Sequence, residues 1–448
     1  LAVSRVGIKA TLVSMSSDAI GRMSCNPAIG GLGKGHLVSE IDALGGIMGS
    51  ASDFAGIQFK MLNKSKGRAV WSPRAQIDKI KYPLYIQNKI KKDKNITILE
   101  DEVVDFFVDK YRITHVQLKF SGKKRAAALV VAAGTFLNGK IHIGNEHFLA
   151  GRFGEKPSTG LSHNIVSKGF KTKRLKTGTP PRLFSSSIDW DEAVPVLGDI
   201  NPTPFSFMTG KAFRPPNLPC HIVNTNKTLH GVLADNLSLS PMYSGKIDAV
   251  GPRYCPSIED KIVRFSNRGS HQLFLEPEWT GSNQIYLNGF STSMPKSVQI
   301  KALKTISALR GVELIRPGYA IEYDYFPTYQ LKSTLESKNI SGLYFAGQLN
   351  GTSGYEEAAA QGLVAGANAA LKINDTDSLN LDRSTSYVGV LIDDLITKDI
   401  NEPYRMFTSR AEHRLFLRSD NAILRLSEEA SKKGLVTAKQ KAAYLNFK

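Results

Sequence analysis

Short apolar runs closed by glycine set the rhythm of this chain. Ile8 to Met15 follows a helical Leu1 to Val6 and a break at Gly7, and has strand character. Leu129-Val130-Val131-Ala132-Ala133-Gly134-Thr135 predicts a buried parallel strand whose end meets a ligand. Gly342-Leu343-Tyr344-Phe345-Ala346-Gly347-Gln348 repeats that pattern near the other end. Ala358 to Ala370 then predicts a helix, in which Ala359, Gly362, Ala365 and Gly366 allow close packing on a sheet. Its N-terminus is suited to a phosphate or a flavin edge. Residues 37 to 44 read as a short amphipathic helix.

The opening is the second half of a β-α-β unit. Its first strand and Gly-rich turn, G-x-G-x-x-G, are expected upstream of residue 1, in roughly two dozen residues. The strand ends Val13-Ser14-Met15-Ser16, without the Asp or Glu that usually meets a ribose hydroxyl. A strand–glycine–helix unit near each end of a long chain is the layout of a two-dinucleotide flavoprotein, with a plain doubly wound fold as the alternative. A polar, proline-containing stretch from 184 to 204 and Arg316-Pro317 bracket the middle. The expected class is α/β: a Rossmann-like cofactor domain in two parts, 1–195 and 318–375. An inserted α/β domain spans 196–317, and 376–448 is a polar linker leading into helix.

Composition narrows the class. The chain has 448 residues, too many for one ordinary core. With 42% hydrophobic and 22% charged residues it is globular, not disordered. No run of about 18 apolar residues predicts a membrane span, and no leader with a cleavage site opens the chain. The three cysteines, at 25, 220 and 255, lack metal spacing, and their odd count argues against a disulfide framework. A reducing cytoplasm is the expected setting. The nine histidines have no H-x-x-x-H partner. His36 and His142, near candidate cofactor loops, are expected to make loop hydrogen bonds. Lys and Arg number 58 against 40 acids, a net charge of +18 and a pI near 9.6. That balance fits either a solvated basic surface or nucleic-acid binding.

The segment Ser24-Cys25-Asn26-Pro27-Ala28-Ile29-Gly30-Gly31-Leu32-Gly33-Lys34-Gly35-His36 carries more chemistry. Its glycines let backbone amides approach an anion, and Lys34 adds a charge. It is not the phosphate loop of nucleotide hydrolases, because G-x-x-x-x-G-K-[ST] is absent. A tight structural turn is the competing reading.

These segments resemble one family. Ser24 to His36, Ile41-Asp42-Ala43-Leu44-Gly45-Gly46, Arg174 to Arg182, Gly251 to Phe265, Gly318 to Tyr323, Ala346 to Gly362 and Glu402 to Arg414 are similar, almost letter for letter, to the MnmG or GidA family. The shorter folate-dependent tRNA uridine methyltransferases, which lack Gly251 to Lys261, rank second. The resemblance implies an FAD enzyme that uses NADH and modifies C5 of the wobble uridine of certain tRNAs with a carboxymethylaminomethyl group. It implies methylenetetrahydrofolate as one-carbon source and glycine or ammonium as nitrogen source. It implies a homodimer that joins the GTPase MnmE in a heterotetramer. It also implies that the chain lacks family segments at both ends. By position, Val103, Ser158 and Gln348 are implied FAD contacts. Gly251-Pro252-Arg253-Tyr254-Cys255-Pro256-Ser257-Ile258-Glu259-Asp260-Lys261-Ile262-Val263-Arg264-Phe265 is the implied NAD segment. Arg68, Leu287 and His413 depart from the family pattern.

The residues also speak for themselves. Gly30, Gly31, Gly33 and Gly347 are expected to line the FAD, with the Gln348 amide donating to a ring carbonyl. Pro256-Ser257-Ile258-Glu259-Asp260 reads as a helix start with Pro at its first position, which puts Cys255 at the cap, where thiolate is favoured. Cys25, before the glycine loop, is placed to face the flavin; a lone Cys is more often packing than nucleophile, and it is the family resemblance that implies a catalytic role for both Cys25 and Cys255. Cys220 reads as strand packing. Arg410, Arg414 and Arg418 recur every four residues, which on a helix makes a stripe for tRNA phosphates. Ion pairs with Glu402, Glu412 and Asp420 are the rival reading. A flavin-containing tRNA scaffold without chemistry, and a small-metabolite oxidase, remain as alternatives. The NAD segment favours the enzyme.

Overall fold

A computed structural model of the chain describes residues 1–210, 212–245, 247, 249, 251 and 256–448. Ala2–Arg5 forms a helical turn, and the strand Ala10–Ser14 runs parallel to Ile96–Glu100, with Ala10 opposite Ile96. The two glycine-closed strands, distant in sequence, lie side by side. Leu343–Phe345 pairs in parallel with Leu129–Val131, Leu343 opposite Leu129. Leu343–Phe345 is buried throughout, as its continuous apolar sequence predicts, whereas in Leu129–Val131 only Val131 is fully buried. The following helix, Tyr355–Ile373, buries Ala360, Val364, Ala365 and Ala367 in the main core. Two of its small residues do less than their spacing predicts. A Cβ at Gly362 would meet nothing within 4 Å, and one at Gly366 would only touch Val3 at 3.4 Å.

The helix expected at 37 to 44 spans Lys34–Ala43 and is buried all round, not amphipathic. It is enclosed by the helices Met48–Ala55, Tyr355–Ile373 and Ala422–Lys432. Its two acids, Glu40 and Asp42, are buried because each finds partners from afar. Glu40, fully buried, accepts the amides of Tyr387 and Val388 (2.9 Å each) and pairs with Arg425 at 2.8 Å. Asp42 accepts the Phe207 amide at 3.1 Å. His36 packs on the Tyr387 ring at 4.8 Å, and burial lowers its pKa to about 4, so it is neutral. His142 meets a side chain and not a loop: its Nε2 lies 3.2 Å from Glu322.

A second hydrophobic core, around Leu183, Leu229, Leu273, Leu275, Leu287 and Phe290, belongs to a separate antiparallel sheet. Its strand order is Val194–Val196, Cys220–Asn224, Gln272–Pro277, Gln284–Asn288, Arg182–Phe184, Leu314–Arg316. A four-stranded sheet leads into it, in the order Glu146–Leu149, Lys140–Ile143, Tyr319–Tyr325, Lys173–Thr179. The chain enters through Thr179 to Arg182 and leaves through Arg316 to Tyr319. These crossings run side by side, because Thr179 is the register partner of Tyr319 and Arg182 that of Arg316.

The polar stretch after 375 is tied down: Asn368 accepts the Leu379 amide (2.7 Å) and donates to its carbonyl (3.1 Å). The helices Tyr387–Thr397, Ala422–Lys432 and Ala438–Phe447 follow. No helix among the described residues is long and apolar enough to cross a membrane.

Glu40 holds the start of Tyr387–Thr397 and the Arg425 of Ala422–Lys432 against one helix. Glu40→Gln would leave that guanidinium buried without its counter-charge. The expected loss is about 3–5 kcal/mol of unfolding free energy, read as an earlier urea midpoint. An unchanged midpoint would show that Arg425 finds another partner.

Candidate functional site

The glycine loop turns at Gly30, Gly31 and Gly33, with φ of 85°, 103° and 71°. Two of these glycines serve close backbone packing. A Cβ at Gly30 would lie 2.2 Å from the Pro73 carbonyl oxygen, and one at Gly33 2.7 Å from the Phe407 Cα. Gly31 opens onto free space, with nothing within 4 Å. Lys34 does not offer its charge to an external anion. Its Nζ donates to Glu356 and Glu357, at 2.9 Å each. Glu356 also accepts the Gly30 amide (2.7 Å), and Glu357 the Met406 amide (3.0 Å). Burial presses the Lys34 pKa down, but the two carboxylates outweigh it and raise it. The start of the helix Tyr355–Ile373 thus holds an internal ion cluster, where the sequence suggested a phosphate.

The strand end after Phe345 supplies Gly347 (φ 86°), whose amide donates to Gln361 at 3.1 Å. The Gln348 amide, expected to face a ring carbonyl, donates to the Tyr323 hydroxyl at 3.1 Å. Ser158 is buried and exchanges backbone bonds with Phe136 and Asn138, just beyond the strand Leu129–Val131. Val103 opens the strand Val103–Asp109, beyond the end of Ile96–Glu100. Gly347 packs toward Ala358 of the helix whose acids hold Gly30, which joins the glycine loop to the Gly347–Gln348 strand end.

Cys25 sits where the two sheets meet. Its amide donates to the Tyr355 hydroxyl at 2.7 Å, and its Sγ lies 3.2 Å from the Tyr286 hydroxyl. Lys79 donates to the Cys25 carbonyl and to Glu278, both at 2.6 Å. Arg182 donates to the same Glu278 oxygen (3.1 Å), to Thr179 and Pro180 (2.7 Å each) and to the Ser24 carbonyl (3.3 Å). Its guanidinium lies 4.6 Å from the Tyr286 ring centroid. One carboxylate thus serves two cations, and the pKa shifts follow. Burial lowers Lys79 to about 8, with Glu278 opposing and Arg182 assisting. Burial pushes Glu278 up, but Lys79 and Arg182 overcome it and hold it below its ordinary value. Lys79, Glu278 and Tyr286 escaped the sequence reading. Arg182 and Tyr355 lay inside family-like segments without an assigned role. No local spacing could find this set, because its members come from five separate stretches.

Cys220 begins a strand and is buried, as expected, and burial pushes its thiol up to about 12. Cys255, with Pro252, Arg253 and Tyr254, lies outside the described residues. The helix expected to start at Pro256 instead spans Ile258–Arg264, capped by Ser257 in a reciprocal pair with Asp260. The cap is therefore Ser257 and not Cys255, because the serine oxygen reaches the Asp260 amide (3.1 Å). Glu259 points inward to Thr292 (2.8 Å) and the Ser293 amide (3.1 Å), while Lys261 donates to the Gly289 carbonyl (2.7 Å). Ile258 and Ile262 are buried, Val263 and Phe265 are exposed, and Arg264 lies 3.8 Å from Asp260. Gly251 abuts Lys176.

The arginine stripe is not helical. Only Thr408–Arg410 forms a single 3-10 turn; Ala411 is extended and a series of turns follows. Arg410 donates to the Arg405 carbonyl (2.7 Å) and lies over the Tyr404 ring. Arg418 pairs with Asp420 at 2.8 Å, one of the rival ion pairs. Glu412 pairs with Arg383 and not with the stripe. Arg414 is exposed, beside exposed Leu415 and Phe416.

The family described as glucose inhibited division protein A matches residues 1–377. The tRNA uridine 5-carboxymethylaminomethyl modification enzyme MnmG of Chlorobium phaeobacteroides is 52% identical over 437 residues, covering 97% of this chain and 70% of that protein. The protein of the same name from Thermodesulfovibrio yellowstonii is 52% identical over 436 residues, with the same coverage. The form I crystal structure of Aquifex aeolicus GidA superposes with a TM-score of 0.95 at 47% identity, over 99% of this chain and 75% of that one. The expected α/β architecture is therefore shared with a solved structure along nearly the whole chain.

Glu278 is the carboxylate that Lys79 and Arg182 share. Because its folded pKa lies below the ordinary 4.5, the stability it adds is full above about pH 4.5 and is lost as pH falls through the folded value. Glu278→Gln is expected to cost about 3–5 kcal/mol at neutral pH and to remove that share of the acid-side decline. Equal urea midpoints for the two proteins across pH 3 to 7 would overturn this role.

Proposed function

Because the chain belongs to the glucose inhibited division protein A family, we propose that it is an FAD- and NADH-dependent tRNA-modifying enzyme. It adds a carboxymethylaminomethyl group to C5 of the wobble uridine, with methylenetetrahydrofolate as one-carbon source and glycine supplying the nitrogen and the carboxymethyl carbons; ammonium as nitrogen source leaves an aminomethyl group. It acts as a homodimer assembled with the GTPase MnmE, in the cytoplasm. On this reading residues 1–195 and 318–375 bind FAD, and 196–317 takes NADH through Gly251 to Phe265. The observation that carries the reading is the partly exposed Cys25 thiol, set against Tyr286 in a chain half identical to named tRNA-modifying enzymes.

The residues fit a flavin. Two parallel strand ends deliver Gly134 (φ 58°) and Gly347 (φ 86°) on neighbouring strands, and Gly31 opens onto free space. The buried Oδ1 atoms of Asn26, beside Cys25, and Asn350, beside Gly347, lack partners among the described residues. Ser158, Val103 and Gln348 complete the proposed contacts. When bound, the flavin supplies two-electron redox chemistry. The chain's own contribution centres on Cys25. Tyr355 anchors its amide, Lys79 and Arg182 fix the Ser24 and Cys25 carbonyls, and Tyr286 holds or moves a proton at Sγ.

Nucleoside analysis of tRNA from a strain lacking the protein tests the reading. Wild-type protein should restore the modified uridine, Cys25→Ser should not while still carrying flavin, and Cys220→Ser should restore it. Restoration by Cys25→Ser at the normal rate would remove the thiol from the chemistry.

With Arg410 and Arg418 engaged inside the protein, Arg414 carries the tRNA contact we propose for this region. Each phosphate that a side chain no longer neutralises lowers the salt slope of binding by roughly 0.7 to 0.9. Arg414→Ala should weaken tRNA binding and flatten the slope by about that amount with little change in melting temperature. A falling melting temperature with unchanged affinity and slope would make Arg414 structural.

A further inference from the structure

Three side chains line up beside Cys25. Arg182 is the register partner of Tyr286 on one side and of Arg316 on the other. Residues directly opposite in antiparallel strands share a face, so Tyr286, Arg182 and Arg316 form one row across the sheet. The Tyr286 end touches the Cys25 Sγ at 3.2 Å. Arg316 therefore stands two strand spacings away, about 10 Å in backbone terms.

The row carries an unbalanced charge. Like charges directly opposite are destabilising in a sheet. Arg182 is relieved by Glu278, which Lys79 also uses. Arg316 has no such partner. Its Nε is buried without a hydrogen bond, and no ion pair reaches it among the described residues. Its guanidinium faces the Phe153 ring at 5.9 Å, with the buried Tyr319 nearby. Burial first, and Arg182 second, press its pKa down; Tyr319 and the more distant Glu278 oppose them without reversing the shift. A desolvated donor left unpaired is costly to the fold, and a planar guanidinium matches one class of partner, a carboxylate or phosphate oxyanion. The partly buried position beside the Phe153 ring favours a small acid over a backbone phosphate of a large nucleic acid.

We infer that Arg316 receives the carboxylate of a small amino-acid substrate, placing its amino group toward the Cys25 end of the row. This rests on the function proposed above, in which glycine or ammonium donates the nitrogen. Glycine carries a carboxylate and ammonium does not. Arg316 is then the residue that selects between them.

The test compares wild type, Arg316→Gln and Arg316→Lys, each as flavin-loaded full protein with its GTPase partner and unmodified tRNA. The KM for glycine should rise about tenfold to a hundredfold in Arg316→Gln, the ratio for one missing charge-assisted hydrogen bond, and less in Arg316→Lys. The KM ratio of glycine to ammonium should rise with it, and products should shift from carboxymethylaminomethyl toward aminomethyl uridine when both donors are present. Removing an unrelieved charge should leave the melting temperature equal or higher. Equal increases in both KM values, a lower melting temperature, or loss of flavin or tRNA affinity with an unchanged KM ratio would each overturn the assignment; the last would give the anion as a phosphate. No modification by wild type with either donor would overturn the proposed function itself, and the assignment with it.

Discussion

The architecture depends on one buried ion cluster. Lys34, at the start of the helix Lys34–Ala43, lies between Glu356 and Glu357 at the start of Tyr355–Ile373. The same carboxylates hold the Gly30 amide and the Met406 amide. Segments from opposite ends of the chain therefore meet at one point. Gly354 adds a geometric condition: a Cβ there would lie 2.1 Å from Glu357 and 2.2 Å from the Lys34 Nζ, and its φ of 138° suits only glycine. Removing one member of such a cluster strands the others without solvation, so the arrangement is all-or-none.

The Cys25 surroundings invert that balance. Lys34 lies between two carboxylates, while Lys79 shares one with Arg182. Both lysines are largely buried, yet the first is held above its ordinary pKa and the second falls to about 8. Burial is common to both, so the ratio of carboxylates to cations decides the sign. A fold can tolerate an excess of buried positive charge only in a few places. Here the excess, Lys79 and Arg182 on one Glu278, lies beside the Cys25 thiol.

Much of the frame was legible because its signals are local. Leu129–Val131 and Leu343–Phe345 announce themselves by unbroken apolar residues, and burial on both faces is what parallel strands require. Signals failed where the partner is remote. Glu40 and Asp42 made Lys34–Ala43 read as amphipathic, and only Arg425, Tyr387 and Phe207 explain their burial. The four-residue spacing of Arg410, Arg414 and Arg418 mimicked a helix. In the fold the Phe416 and Leu417 amides turn back on the His413 carbonyl, and Arg418 closes on Asp420. Helical spacing is necessary for a stripe and does not make one. The thiol site was half visible: Cys25 stood before a glycine loop, but Lys79, Glu278 and Tyr286 carry no mark in their own neighbourhoods.

That distance is also how the site is assembled. Cys25 takes its amide anchor, Tyr355, from the helix of the main core and its hydroxyl neighbour, Tyr286, from the separate antiparallel sheet. The thiol environment therefore depends on how the two bodies are held together. They are joined by two chain crossings that are strand partners of each other, Thr179 with Tyr319 and Arg182 with Arg316. Paired strands bend as one element, unlike two free linkers. Arg182 tightens the join, bonding backwards to Thr179 and Pro180 in the crossing, across to Glu278 in the inserted sheet, and outward to Ser24 beside the thiol. A single side chain thus fixes the crossing and the cysteine together, and the geometry at Sγ follows from the same hydrogen bonds that hold the inserted sheet in place.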